Sequence, residues 1–163
     1  MDKIRKILEV ALNFEKSGQE FYRENVEKVN QKAAKEIFRY LMDMEASHVK
    51  YIESLINKLN GESPIFQPSD DSDIIYEQRL QSQGLSESAY NSDLADLSIL
   101  RMAYLIEKDF VEYYDSASQK ADDESVRTLF VTLRDWEKRH ADMIKSLMEK
   151  IFEKHSLDLG FYG

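Results

Sequence analysis

The chain has 163 residues, with 31 acidic side chains against 22 basic ones and a formal charge of −9 at neutral pH. Such a surface repels phosphate, so nucleic acid is excluded as a partner. There is no cysteine, which excludes disulfides, cysteine-bound zinc, iron–sulfur clusters and a thiol nucleophile.

The length suits one domain with a sizeable core, and plentiful Glu, Lys, Leu and Ala beside scarce Gly and Pro favours helix. The N-terminus, MDKIRKILEV, lacks the apolar run of a signal peptide and already reads as an amphipathic helix. No stretch approaches the roughly 20 apolar residues that a membrane span requires. A soluble, cytoplasmic protein is expected.

Four long helices are expected. The first, over residues 2–29, carries an inward stripe of Ile4, Leu8, Ala11, Leu12, Glu15, Tyr22, Val26 and Val29. The second, over 31–60, places Ile37, Leu41, Met44, Glu45, His48, Ile52, Leu55 and Leu59 on one face. Gly61 reads as its stop, with Pro64 and Pro68 beyond. The connection over 61–91 is rich in Ser, Asp and Gln, and a short helix is expected in it at 72–81 or at 86–90. The third long helix runs over 92–121, capped by Ser92 or Asp93, with Leu97, Leu100, Tyr104, Glu107, Val111 and Tyr114 inward. The fourth runs over 123–155 with Leu129, Leu133, Trp136, Glu137, His140, Ile144, Leu147 and Ile151 inward. The domain thus spans 1–155, and the tail, 156–163, is expected to be irregular.

The two halves repeat each other. A shift of 92 positions, which carries Glu15 onto Glu107, aligns 11–60 with 103–152 without a gap. It superposes Ala11 on Ala103, Tyr22 on Tyr114, Phe38 on Phe130, Leu41 on Leu133, Glu45 on Glu137 and His48 on His140. Two helical hairpins of one design predict an all-α four-helix bundle with approximate twofold symmetry. A helix of about 30 residues is roughly 45 Å long. The connection, at up to about 3.3 Å per residue, can cross that length. The second and third long helices are therefore expected to run parallel, joined by one long crossover.

Each half contains Glu-x-x-His, as Glu45-Ala-Ser-His48 and Glu137-Lys-Arg-His140, with a further glutamate 30 residues upstream, Glu15 or Glu107. Positions three apart share a helix face, so each motif aims a carboxylate and an imidazole the same way. One Glu-x-x-His is usually a solvated pair. Two copies on apolar stripes with matched upstream glutamates are not explained that way, because an uncompensated buried carboxylate is strongly unfavourable. Two divalent ions would balance four glutamates. Glu15 and Glu107 would cap one ion each, Glu45 and Glu137 would bridge both, and His48 and His140 would complete the shells. Oxygen and nitrogen donors without sulfur suit iron or manganese, and zinc or cobalt can occupy such a set.

Other positions give weaker signals. Tyr22 and Tyr114 lie seven residues after Glu15 and Glu107, on the same face. They read either as hydrogen-bond donors to those carboxylates or as plain core. Asp43 and Asp135 read as surface residues. Glu20 and Glu112 sit about 140° round the helix from the candidate ligands and read as solvent-facing. Trp136 reads as packing near the site. His155 reads as a surface residue near a helix end.

On these residues the chain resembles the rubrerythrin branch of the ferritin-like superfamily. FEKSGQEFY followed by EIFRYLMDMEASHVKYIESL looks like the first helical pair of a rubrerythrin di-iron domain, and IEKDFVEYY followed by LFVTLRDWEKRHADMI like the second. The resemblance implies a ferritin-like four-helix bundle holding two iron ions, with Glu15, Glu45, His48, Glu107, Glu137 and His140 as ligands and Tyr22 and Tyr114 behind them. Two departures stand out. Rubrerythrins typically carry a rubredoxin-like domain held by four cysteines, and this chain has none. The family also often places a glutamate one turn after the third-helix ligand, where this chain has Phe110, whose counterpart in the first half is Gly18. The symmetric four-Glu, two-His set is like that of bacterioferritins.

The expected activity is that of a di-iron oxidoreductase reducing hydrogen peroxide or dioxygen, with electrons from a separate, possibly rubredoxin-like donor. Ferroxidase activity and non-catalytic iron buffering are the alternatives. A homodimer is expected by analogy.

Overall fold

The computed structural model describes residues 2–61 and 71–159. They form five helices: α1 (Asp2–Asn25), α2 (Lys32–Leu59), α3 (Asp71–Ser82), α4 (Tyr90–Lys120) and α5 (Glu124–Leu159). There is no strand among the described residues. The four long helices make the bundle and α3 lies against α5. The sequence stripes become the core faces. On α1, for instance, Leu8, Ala11, Glu15, Gly18 and Tyr22 are buried at alternating spacings of three and four.

Contacts across the seams fix the helix directions. Lys16 pairs with Glu53 and Arg5 with Asn60, so α1 and α2 are antiparallel. Asp115 pairs with Arg134 and Asp93 with His155, so α4 and α5 are antiparallel too. Tyr22 bonds Glu107 while Tyr114 bonds Glu15, which runs α1 antiparallel to α4. The helices α2 and α4 are therefore parallel, as one long crossover requires. Of the two sites expected for a short helix, the first is helical, as α3. Lys150 Nζ fastens it to α5 by donating to the carbonyls of Leu80 and Gln83 at 2.6 and 3.2 Å.

Apolar packing forms two clusters with a polar layer between them. One gathers Val29, Ile37, Phe38, Leu100 and Ile151, and the other Leu8, Ile52, Phe110, Phe130 and Leu133. The repeat holds in burial as well as in sequence: Leu8 and Leu100, Phe38 and Phe130, Leu41 and Leu133, and Ile52 and Ile144 are all fully enclosed pairs.

The ends depart from the sequence expectation in three ways. The last helix does not stop at 155 but continues to Leu159, so the residues 156–159 assigned to an irregular tail are helical, while 160–163 lie outside the described residues. Neither Ser92 nor Asp93 caps α4, which begins at Tyr90 after Ala89. Asp93 is instead buried, accepting from Gln31 Nε2 at 2.9 Å, Ser88 Oγ at 2.5 Å and Lys154 Nζ at 2.9 Å. Burial works to raise its pKa, but those donors and His155 together hold it well below the usual carboxylate range. His155 is correspondingly not a surface residue: its side chain is only 12% exposed, with Nε2 2.5 Å from Asp93.

Next to it, Asp96 supplies a cap from another helix. The helix α2 starts after Gln31 with no cap from its own side chains. Asp96 on α4 accepts from the backbone N–H groups of Asn30 and Gln31, both at 2.7 Å. Gln31 in turn holds Ser86 through its backbone N–H and Oγ. Asp96→Ala would strand two N–H donors in a closed turn, and we expect it to lower unfolding free energy by about 1–3 kcal/mol in urea titration. An unchanged midpoint would show that the α1–α2 turn does not depend on this cap.

Candidate metal centre

The polar layer contains Glu15, Glu45, His48, Glu107, Glu137 and His140, every one of them 0% exposed. Regular helix geometry explains the convergence. Glu15 on α1 and Glu107 on α4 each contribute one carboxylate, and the i, i+3 pairs on α2 and α5 contribute the rest. All six residues singled out by the repeat are brought together.

Their donor atoms form two groups, each within 4.8 Å: Glu15, Glu45, His48 and Glu137, and then Glu45, Glu107, Glu137 and His140. Glu45 and Glu137 belong to both. The imidazoles lie nearly parallel, with ring centroids 5.5 Å apart at 12°. His48 Nδ1 is 2.8 Å from Glu137, 3.5 Å from Glu15 and 3.9 Å from Glu45. His140 Nδ1 is 3.3 Å from Glu137, 3.7 Å from Glu45 and 3.9 Å from Glu107.

Around this set the bundle supplies hydroxyls and rings. The tyrosines are exchanged between halves: Tyr22 donates to Glu107 at 2.6 Å and Tyr114 to Glu15 at 2.5 Å. Trp136 stacks on His48 at 5.1 Å and meets Tyr51 edge-on. Tyr40 meets His140 edge-on at 6.5 Å and stacks on Tyr76 of α3 at 4.0 Å. Phe110 closes the α1–α4 flank. A Cβ built on Gly18 would lie 3.1 Å from the Phe110 ring and 3.6 Å from Glu45 Cδ, so the missing side chain of one half makes room for the large one of the other. Asp43, Asp135 and Glu112 are exposed, as the sequence indicates, and Glu20 pairs with Arg23 at the surface.

The electrostatics follow from enclosure. Burial first, and then the charge of Glu137, raises the pKa of Glu15, Glu45 and Glu107 above the ordinary carboxylate range. Burial acts upward on Glu137 too, yet His48 and His140 on either side hold it well below that range. For His48, burial works downward, but Glu137 and Glu15 lift it to about 9. Burial and the adjoining glutamates push both site tyrosines up as well, so Tyr22 and Tyr114 keep their phenolic protons.

Hydrogen bonding leaves much of the set unanswered. Glu15 Oε2, both oxygens of Glu45, Glu107 Oε2 and Glu137 Oε2 are buried with no donor. Native interiors rarely leave such atoms orphaned. Oxygen and imidazole nitrogen donors shared between two adjacent groups fit a pair of first-row divalent ions. Without ions, these carboxyls should be a burden on the fold. We therefore expect Glu45→Leu to stabilise the metal-free protein by about 1–3 kcal/mol, the scale of the penalty for a buried polar group left without a partner. A lower unfolding midpoint than the parent under chelation would contradict this.

A family model described as a ferritin-like domain matches residues 4–150. Among solved structures, a hypothetical protein from Pyrococcus furiosus is similar over 92% of this chain and 90% of its own, with a TM-score of 0.67 and 19% identity. At that identity the likeness speaks for the fold alone. No curated protein matches the chain. Among the described residues, no helix is long and apolar enough to cross a membrane.

Proposed function

The chain belongs to the ferritin-like domain family, and from that premise we propose that its buried cluster binds two iron ions and reduces hydrogen peroxide or dioxygen. The observation that carries the reading is the sharing of Glu45 and Glu137 between two donor groups. The residues that would hold two ions are Glu45 and Glu137, common to both groups, with Glu15 and His48 in one and Glu107 and His140 in the other. Manganese or zinc fits the same donors.

When bound, a pair of redox-active ions supplies the two electrons that, with two protons, turn peroxide into water. The chain's own residues do the rest. Tyr22 and Tyr114 orient the terminal carboxylates and keep a proton on each hydroxyl. Trp136, Phe110, Phe38 and Phe130, all buried, exclude bulk water from the layer. These 163 residues include no cysteine, so an iron donor held by cysteines would have to lie outside them. A rubredoxin-like protein is the donor class that the rubrerythrin resemblance supports.

Phe110 favours a second reading, ferroxidase, with Fe(II) as substrate. It fills the flank beside Glu45 with an apolar ring, so the site keeps a fixed set of four carboxylates and no spare one.

Two measurements test the proposal. Anaerobic loading followed by metal analysis should give about two ions per chain, as in the bundle sites built on paired Glu-x-x-His motifs. Glu45→Ala with Glu137→Ala should abolish binding while the helices persist, and a clear zero in the parent protein would end the reading. Rapid mixing of the di-ferrous protein with peroxide and with dioxygen then identifies the oxidant. Sustained consumption of added Fe(II) would favour ferroxidase, and no oxidation above background would leave an iron-binding protein without turnover.

The protonation pattern gives an independent check. His48 titrates near 9 and Glu45 and Glu107 are raised, so at neutral pH the metal-free cluster holds protons that ions must displace. Calorimetric titration with Mn(II) in buffers of different ionisation enthalpy should show proton release, and affinity should weaken as pH falls. Binding without proton release would contradict this account.

A further inference from the structure

Away from the polar layer, α3, the start of α2 and the middle of α5 enclose a pocket of about 260 Å³. At about 30 Å³ for each water-sized group, that is room for about nine non-hydrogen atoms. Much of its wall is apolar: Ile37 from α2, Leu80 from α3, Leu85 from the connection, and Met143 and Leu147 from α5. Of these, Ile37, Met143 and Leu147 belong to the buried core, none more than 4% exposed. A small cleft with an apolar wall and a few polar groups is the usual form of a small-molecule site.

The polar groups indicate which small molecule. Gln83 lines the pocket, and its Oε1 is shut off from solvent with no donor. Buried acceptors rarely go unanswered, so the pocket calls for a donor. The ionisable groups on its wall are Glu77, Asp142 and Lys150, which leaves negative charge in excess. Nor is Lys150 placed to receive an anion. Its Nζ donates to the carbonyls of Leu80, Gln81 and Gln83 at 2.6, 3.5 and 3.2 Å, and an ammonium has only three N–H groups to give. That cation is spent on the chain itself. What the pocket presents to an entering molecule is two carboxylates, an unanswered amide oxygen and an apolar wall.

We propose that this pocket binds a primary monoamine whose apolar chain or ring has about six to eight carbons, the size that the volume admits. The ammonium answers Gln83 Oε1 and is held by the charges of Glu77 and Asp142, while the apolar body lies against Ile37, Met143 and Leu147. A carboxylate of the same size is repelled by the charges that hold the amine. The pocket shares no residue with the metal layer, so it stands whether or not the cluster binds ions.

Methyl NMR of the full chain with labelled methionines, titrated with n-hexylammonium chloride, tests the site. Met143 lines this pocket, whereas Met148 lines an apolar groove on the outer face of α4 and α5, so the two methyls separate the pocket from general apolar adsorption. Met143 should shift and saturate at about millimolar amine or below, an affinity within reach of so small a ligand, with Met148 unmoved. n-Hexanol should bind about tenfold more weakly, the scale of one hydrogen bond to a charged group, and hexanoate should not bind. E77Q with D142N, and separately Q83L, should each weaken the amine about tenfold with helical circular dichroism unchanged, and E77Q with D142N should leave hexanol binding as it was. The absence of a saturable Met143 shift overturns the proposal. So does hexanol or hexanoate matching the amine, which would leave the pocket apolar and nothing more. A shift of Met148 in place of Met143 overturns it too, as does undiminished amine binding in the variants.

Discussion

Four carboxylates in one enclosed layer constrain everything else about this bundle. An ionised carboxylate has little solvation there, and four within a few ångströms repel one another, so the layer can persist only with compensating positive charge or bound protons. The arrangement of the groups allows the protonic solution. Glu137 sits between two imidazoles and stays low, while its neighbours rise and hold protons. The apolar clusters on either side then serve two roles, stabilising the fold and denying water to the layer.

The approximate twofold symmetry is kept where the carboxylates need it and given up where packing or topology demands something else. Ligand positions, site tyrosines and the flanking Leu and Phe pairs obey the repeat. Gly18 and Phe110 break it together, one residue leaving the space that the other fills. The bundle end where α2 begins breaks it further. There Asp93, Asp96 and Gln31 bind the α1–α2 turn, the last residues of the connection, and the start of α4 into one polar knot, which Lys154 and His155 close from α5.

Much of the architecture and all six cluster residues were legible in the sequence, because both rest on periodicity. A stripe at helical spacing, repeated at a fixed offset with its glutamates and histidines in register, states which side chains face inward before any coordinates exist. The polar knot was not legible. Its partners are more than 60 positions apart in several cases, and each is a lone Asp, Gln or His with no recurring pattern. Ser92 or Asp93 reads as a local cap because such residues near a helix start usually are, whereas a tertiary partner set overrides that preference for Asp93. His155 reads as a surface residue in the sequence because it has no partner pattern, whereas it packs on Tyr90 and meets Asp93 on α4. The crossed donation of the tyrosines also lay beyond the sequence, which shows that Tyr22 follows Glu15 but not that it reaches across to Glu107.

That crossing bears on how the molecule folds. A hairpin of α1 and α2 alone would have Glu15 without the hydroxyl that answers it and Tyr22 without its acceptor, and the second hairpin would have the complementary gaps. Neither half therefore presents a satisfied interior on its own, despite sharing one design. The free energy of docking is concentrated in the step that joins them, so the two hairpins should behave as a single cooperative unit rather than as independent foldons. What reads as an ancestral duplication in the sequence has become, in the folded chain, a mutual dependence that neither copy can satisfy alone.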